Sequence, residues 1–178
     1  MKHEEYTSVK IGSYQFAPTD DVRMAVRRLK LGWQTPVRLV VPSVRTIYRL
    51  AQSLSRQLMM SEKEIIDSLS NAAYIKKLGY TPETLPSLFV PNTYEVYWTI
   101  SMNNLMQRLS KEYSNYWTSD RRKKASEQGL TLIEVATLAS IVDEETAVNA
   151  EKPIVAGLYL NRLQRGMLLQ ADPTVKFA

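Results

Sequence analysis

The sequence predicts a mainly helical α+β protein, with a small α+β unit over residues 1–80 and a helical part over residues 81–178. Three observations carry this. Apolar residues recur at helical spacing in one stretch after another between Val22 and Leu163. Strand-like alternation is confined to short runs. Gly32, Gly79, Gly129 and Gly166 each fall where a helical pattern stops.

Taken in order, Val9, Ile11, Tyr14 and Phe16 read as a strand over residues 6–17, interrupted by Gly12. Thr19 or Asp20 caps a helix reaching about Lys30, with Val22, Ala25, Val26 and Leu29 on one face. Residues 37–41 form a short strand closed by Pro42, and Ser43 caps a helix whose Ile47, Leu50, Ala51 and Leu54 face inward. Ser61 and Glu64 make a capping box for the next helix. A helical run near residues 74–78 follows and ends at Gly79. Pro82, Pro86 and Pro91 make residues 80–92 irregular. Tyr94, Val96 and Trp98 alternate as a strand, and helices follow at about residues 100–117 and 119–128. Thr131 and Glu134 make a second capping box, opening a helix with Val135, Leu138, Ala139, Ile141 and Val142 in its apolar stripe. Pro153, tolerated in a first turn, opens a helix to about Gln164 with Ile154, Val155, Leu158 and Leu163 inward. Asp172-Pro173 is a turn, and residues 174–177 read as a strand.

Composition removes several chemistries. The 178 residues include no cysteine and one histidine, His3. Disulfides, thiolate metal sites, cysteine nucleophiles, Ser-His-Asp triads and multi-histidine metal centres therefore drop out. No metal or cofactor is expected, and the chemistry falls to carboxylates, amides, hydroxyls and basic groups. A net charge of +5 and a pI near 9.4 suit an anionic partner: nucleic acid, an acidic membrane surface or an acidic polymer. The densest basic run, Arg121-Arg122-Lys123-Lys124, reads as a solvated helix face. No run approaches the ~18 apolar residues of a membrane span, and no signal-peptide pattern opens the chain. The polar start at Met1 and the abrupt end at Ala178 read as cuts in a longer chain.

One carboxylate stands out by its phase. Asp143, Glu144 and Glu145 close the helix that begins near Thr131. At about 100° per residue, Glu145 projects within about 20° of Leu138 and between Ile141 and Val142. It continues the apolar stripe, whereas Asp143 falls on the far side and Glu144 on the flank. A carboxyl held against apolar groups beside two other acids is expected to stay protonated to higher pH, as a general acid requires. The competing reading ends the helix by residue 143 and leaves Glu145 in water. Acids at a helix C-terminus oppose the helix dipole, so the cluster is locally unfavourable, and unexplained local cost points towards function.

The run Leu138-Ala139-Ser140-Ile141-Val142-Asp143-Glu144-Glu145-Thr146, then Asn161-Arg162-Leu163, Gly166-Met167 and Leu169-Gln170-Ala171-Asp172-Pro173-Thr174-Val175, resembles the endolytic murein transglycosylases, the YceG-like or MltG family. The family's usual pattern is A-S-I-V-E-K-E-T, then N-R-L and G-M-x-L-Q-x-D-P-T-V. Weaker matches lie upstream, at Gly12-Ser13-Tyr14 and Phe89-Val90-Pro91-Asn92-Thr93-Tyr94. The chain departs from the pattern where Asp143-Glu144 replaces E-K and where Asn92 replaces an aspartate.

The resemblance implies that Glu145 is catalytic and that Gln170 and Asp172 line the same cleft, with Ser140, Thr146, Asn161 and Arg162 as supports. Asn161 and Arg162 are read equally well as a buried amide and a helix-end cation, and Asp172 as a turn-former before proline. The resemblance also implies a LysM-like unit in the first 80 residues and a catalytic part after it, truncated on its C-terminal side. The implied reaction is cleavage of the MurNAc-GlcNAc bond of peptidoglycan glycan strands. Glu145 serves as acid and then as base, giving 1,6-anhydroMurNAc ends. Cell-wall synthases are the implied protein partners, and no nucleic acid is expected. The implied location is the extracytoplasmic face of the cytoplasmic membrane for a membrane-anchored parent, of which this chain would be a soluble piece. Two rival readings remain: a non-catalytic peptidoglycan-binding module, and a nucleic-acid binder resting on charge alone.

Overall fold

One long-range strand pairing organises the chain. Residues 37–41 alternate so that Leu39 and Val41 share a face, and residues 92–96 do the same with Tyr94 and Val96. The two runs become β1 (Val37–Val41) and β2 (Asn92–Val96), antiparallel, with Val37 opposite Val96, Leu39 opposite Tyr94 and Val41 opposite Asn92. The computed structural model describes residues 8–43, 46–172 and 174. Among these, eight α-helices accompany the two-stranded sheet: α1 (Val22–Leu31), α2 (Ile47–Ser55), α3 (Glu62–Leu69), α4 (Ala72–Lys77), α5 (Met102–Tyr116), α6 (Ser119–Glu127), α7 (Leu132–Glu145) and α8 (Lys152–Gln164). The mainly helical α+β expectation holds.

Helix ends follow local chemistry. Both anticipated capping boxes are present, Ser61 with Glu64 on α3 and Thr131 with Glu134 on α7. Gly32 takes a left-handed conformation (φ 73°) that closes α1. Two caps differ from expectation. Asp21 accepts from the Arg23 amide and caps α1, while Asp20 instead binds Arg28 Nη1 at 2.9 Å. Thr46 caps α2, because that helix begins at Ile47, further along than Ser43 implied.

The main core gathers one face of the sheet, α2, α3, α4 and α5. Leu50, Ala51 and Leu54 of α2 are buried, as their spacing requires, and meet Ile65, Leu69, Ile75, Leu105, Met106 and Leu109. The proline-rich connection packs too. A 3-10 turn over Leu85–Leu88 drives Leu85 and Leu88 into this core. Leu54 is fully buried. Leu54→Ala is expected to lower unfolding free energy by about 2–5 kcal/mol, read as a lower denaturation midpoint. A change below about 1 kcal/mol would mean that the site collapses around the smaller side chain.

Three expectations fail. Residues 8–17 form no strand (residues 6 and 7 lie outside the described part). The segment lies along the end of α1 instead, with Lys10 N donating to Leu29 O (3.1 Å) and Thr35 N to Ser13 O (2.8 Å). Trp98 falls in a turn after β2 and is half-buried. At the other end, Asp172 and Thr174 are helical, so Thr174 starts no strand. Residue 173 and residues 175–178 lie outside the described part.

A second, smaller core joins α7 to α8. Leu138 and Val142 of α7 are buried, as predicted, against Tyr159 and Ala171. On α8 the inward face is not the expected one. Ile154, Leu158 and Leu163 are exposed, Val155 is half-buried and Tyr159 is the buried residue. Apolar residues occur all round this helix, so periodicity does not select a face. No helix among the described residues is long and apolar enough to cross a membrane.

Candidate active site

The acids predicted to matter close α7, so the site depends on how that helix is held. At its start, Glu134 Oε2 accepts from the Thr131 amide at 2.7 Å, and this bond, followed by the one to the Thr131 side chain, holds the Glu134 carboxyl below its ordinary value. The Ser61 hydroxyl, then its amide, does the same for Glu64 on α3. A carboxyl lowered on folding stabilises the fold above the unfolded carboxylate value, and that contribution is lost as pH falls through the folded value. The thermal midpoint is therefore expected to fall on acidification through this range, with Glu134→Gln flattening part of the slope. An unchanged slope in Glu134→Gln would remove this box from the account.

At its end, α7 is tied to α8. Asp143, the acid on the far side, forms an ion pair with Lys152 Nζ in the first turn of α8. Glu145 is the last residue of α7 and is exposed, which corrects the expected burial against the apolar stripe. Phase sets the direction of a side chain and not its depth, and beyond the last turn no helix covers it. Across from this helix end lies Tyr159 of α8. This tyrosine is 3% exposed and packs with Leu138, Val142 and Ala171. Burial pushes the Tyr159 phenol above its ordinary value. Glu145 pushes it further, by charge and by hydrogen bonding, and Asp172 adds in the same direction while Arg162 opposes.

Arg162 lies about one turn beyond Tyr159 on the same face of α8. Its Nη1 donates to the Leu169 carbonyl and its Nη2 to Gln170 Oε1 at 3.0 Å. Neither the buried-amide nor the simple helix-end reading describes this arrangement, in which a guanidinium fork grips the loop after α8. Gln170 has φ 51°, and it alone among the described non-glycine residues has a positive φ. Such a conformation persists only where surrounding contacts impose it. Buried Ala171 anchors the next residue, and its carbonyl accepts from both the Thr174 amide (3.0 Å) and the Thr174 hydroxyl (2.6 Å).

At the α7–α8 end Arg162 and Gln170 are joined directly, and Glu145, Arg162 and Asp172 all act on the phenol of Tyr159. The other predicted supports do not join them. The Ser140 hydroxyl donates to the Thr137 carbonyl of its own helix (2.7 Å), and Thr146 Oγ1 donates to Glu151 Oε2 (2.6 Å), capping the loop into α8. Asn161 is exposed, and helical geometry turns it about 160° from Tyr159, so it is not the buried amide of the competing reading. Tyr159 went unnoticed in the sequence. The available signal was a phenol within an apolar helical stretch, since a buried tyrosine hydroxyl requires a polar partner.

The basic run on α6 is engaged locally. Arg121 stacks on the Tyr116 ring at 4.1 Å and donates to the Tyr116 carbonyl, and Arg122 Nε donates to the Trp117 carbonyl at 2.8 Å. Lys124 pairs with Asp120 at 2.9 Å. A narrow depression lined by Pro42, Thr46, Ile47, Leu50, Pro86 and Phe89 belongs to the main core rather than to the Glu145 cluster.

Comparison with known proteins places this arrangement in context. The YceG-like family model matches residues 1–178. The chain is 26% identical over 211 residues to a protein of Streptococcus pneumoniae serotype 2 (strain D39) named endolytic murein transglycosylase, covering 99% of this chain and 37% of that relative. A protein of the same name from Bacillus subtilis (strain 168) is 21% identical over 194 residues, covering 100% of this chain and 54% of that relative. The chain thus spans between about a third and just over half of these relatives. The fold resembles the crystal structure of a yceG-like protein from Listeria monocytogenes, with a TM-score of 0.64, 22% identity, and coverage of 97% of this chain and 62% of that one.

Proposed function

The chain belongs to the YceG-like family, and from that membership we propose that it cleaves peptidoglycan glycan strands as an endolytic lytic transglycosylase. The observation that carries the reading is Glu145 as the last residue of α7, at the end of the α7–α8 pair where Arg162 holds Gln170 and where Arg162, Asp172 and Glu145 all act on Tyr159. A glycosidase that uses water pairs two carboxylates, one as acid and one as base or nucleophile. A transglycosylase needs one. Protonated Glu145 donates to the glycosidic oxygen between MurNAc and GlcNAc. The resulting carboxylate then takes the proton of the MurNAc 6-hydroxyl as that oxygen attacks C1 of its own sugar. The bond to GlcNAc breaks, a 1,6-anhydro bridge forms, and no water is consumed. Because nucleophile and electrophile belong to one sugar, closure is intramolecular, which supplies much of the rate.

Gln170 and Asp172 are assigned to positioning the sugar and its acetamido groups, with the loop that carries them fixed by Arg162. Residues 81–178 carry this chemistry in the proposal, and residues 1–80 form a LysM-like unit that engages the strand. The site of action is the cell envelope, outside the cytoplasmic membrane, and the synthases that build the strands are the proposed protein partners. One observation favours the alternative of a non-catalytic peptidoglycan-binding module: Glu145 is exposed and the core beneath it is small. Mass spectrometry of purified glycan strands incubated with the chain separates the readings. Anhydro-ended fragments are expected. Reducing ends would mean hydrolysis and sink the transglycosylase reading, and retention of intact strands would favour the binding module.

A further inference from the structure

We propose that the outward face of α1, together with residues 9–11 beside its end, is a contact for an anionic membrane surface. The positive charge of the chain is not evenly spread. Residues 1–80 hold thirteen lysines and arginines against seven acids, whereas residues 81–178 hold ten against eleven. Asymmetry of this kind points to the part of a chain that meets an anionic partner. Within the basic part, α1 is the helix least taken up by the fold. None of its ten residues is buried, and it carries no acid. Ala25, Val26 and Leu29 are half-buried, and Arg28 is engaged by Asp20 Oδ2 (2.9 Å) and the Gln15 carbonyl (3.2 Å). At about 100° per residue, Arg23, Met24, Arg27 and Leu31 share the opposite arc. All four are exposed, and among the described residues neither Arg23 nor Arg27 has an ion pair.

The apolar groups decide which anionic partner fits. Lys10 N donates to the Leu29 carbonyl (3.1 Å) and Lys10 Nζ to the Leu31 carbonyl (3.4 Å), so residues 9–11 lie against the C-terminal end of α1. Gly32 permits this approach, since a Cβ there would come within 2.7 Å of Lys10 Cδ. Val9 and Ile11, on either side of Lys10, are 66% and 64% exposed, and exposed Trp33 follows at the same end of the helix. Aliphatic side chains among arginines offer nothing to a phosphate backbone or a base edge, so a nucleic acid would leave them unused. A bilayer matches both kinds of group. Apolar side chains enter the boundary between headgroups and acyl chains, the arginines meet lipid phosphates, and tryptophan suits that interface. The contact draws on no residue of the Glu145 site, so it stands or falls separately from the proposed cleavage.

Co-sedimentation of the chain with lipid vesicles tests this. Binding to vesicles of mixed phosphatidylglycerol and phosphatidylcholine is expected to exceed binding to phosphatidylcholine alone by about tenfold or more, and to weaken as added salt screens the charges. Arg23→Gln with Arg27→Gln is expected to weaken binding to the anionic vesicles about thirtyfold. Val9→Ser with Ile11→Ser keeps every charge and is expected to weaken it about tenfold. All four side chains are exposed, so both variants are expected to melt as the parent does. No binding to anionic vesicles, equal binding to the two vesicle types, or equal binding by the parent and both variants overturns the proposal. Loss in the arginine variant alone would mean attraction without insertion, and would overturn the role given to Val9 and Ile11. A DNA duplex bound equally by the parent and the Val9→Ser, Ile11→Ser variant, with no vesicle bound, would assign the face to nucleic acid instead.

Discussion

Glu145→Gln is expected to abolish glycan cleavage by about 10²–10⁴-fold while the protein stays folded. The substitution is close to isosteric, but it removes both the proton that the proposed mechanism donates and the carboxylate that takes up the second one. Its effect on stability is expected to be nil or slightly favourable. Glu145 is exposed, and a negative charge at the end of α7 opposes the helix dipole. Loss of cleavage with an unchanged melting curve therefore isolates chemistry from folding. Cleavage at the parent rate would eliminate Glu145 as the acid, and attention would pass to Asp172.

Arg162→Ala carries the second large effect. The guanidinium is half-buried and holds both the Leu169 carbonyl and the Gln170 amide oxygen, and Gln170 sits in a left-handed conformation that needs such support. Truncation leaves the Leu169 carbonyl unpaired and frees Gln170. The expected cost is about 1–2 kcal/mol of stability, a discounted figure because the bond to Gln170 is exposed. Cleavage is expected to fall about a hundredfold. Hydrogen exchange localises the change: amides of residues 167–171 should exchange faster, with the main core unaffected. Arg162→Lys is expected to rescue little, since an ammonium cannot span two acceptors as the planar fork does. Unchanged exchange in the alanine variant would mean that the loop is held by Ala171 alone.

Much of the helical frame was legible because its signals are local. Ser61 with Glu64 and Thr131 with Glu134 announce their helices within four residues, and the spacing of Leu50, Ala51 and Leu54 needs no partner to be read. What escaped the sequence depends on a neighbour. Residues 8–17 alternate like a strand yet bond to the end of α1 and the turn after it. Leu158 and Tyr159 are adjacent on a helix that is apolar all round, and which one turns inward is decided by where α7 lies. The phase of Glu145 was read correctly relative to Leu138 and Val142, but its exposure follows from the helix ending beneath it. Of the residues the motif likeness pointed to, Arg162 and Gln170 are hydrogen-bonded to each other, Glu145 and Asp172 lie at the same end of the α7–α8 pair, and Ser140, Thr146 and Asn161 are engaged elsewhere or exposed. Tyr159, the buried residue between α7 and α8, has no motif and became visible only through its burial.

The pairing of β1 with β2 has a consequence for the order in which this chain folds. Leu39 faces Tyr94 and Val37 faces Val96, so everything between Val41 and Asn92 must be looped out before the sheet closes. Closing so long a loop is an entropic cost met before its contacts give any return, and non-local pairings of this kind slow folding. A chain leaving the ribosome from its N-terminus has α2, α3 and α4 in hand while Leu39 and Val41 still lack their opposite strand. The α7–α8 hairpin packs between near neighbours in sequence, although α7 also rests on the 3-10 turn over Leu85–Leu88. Synthesis of the stretch Asn92–Val96 lets the sheet close, and α5 after it completes the core of the first half of the molecule.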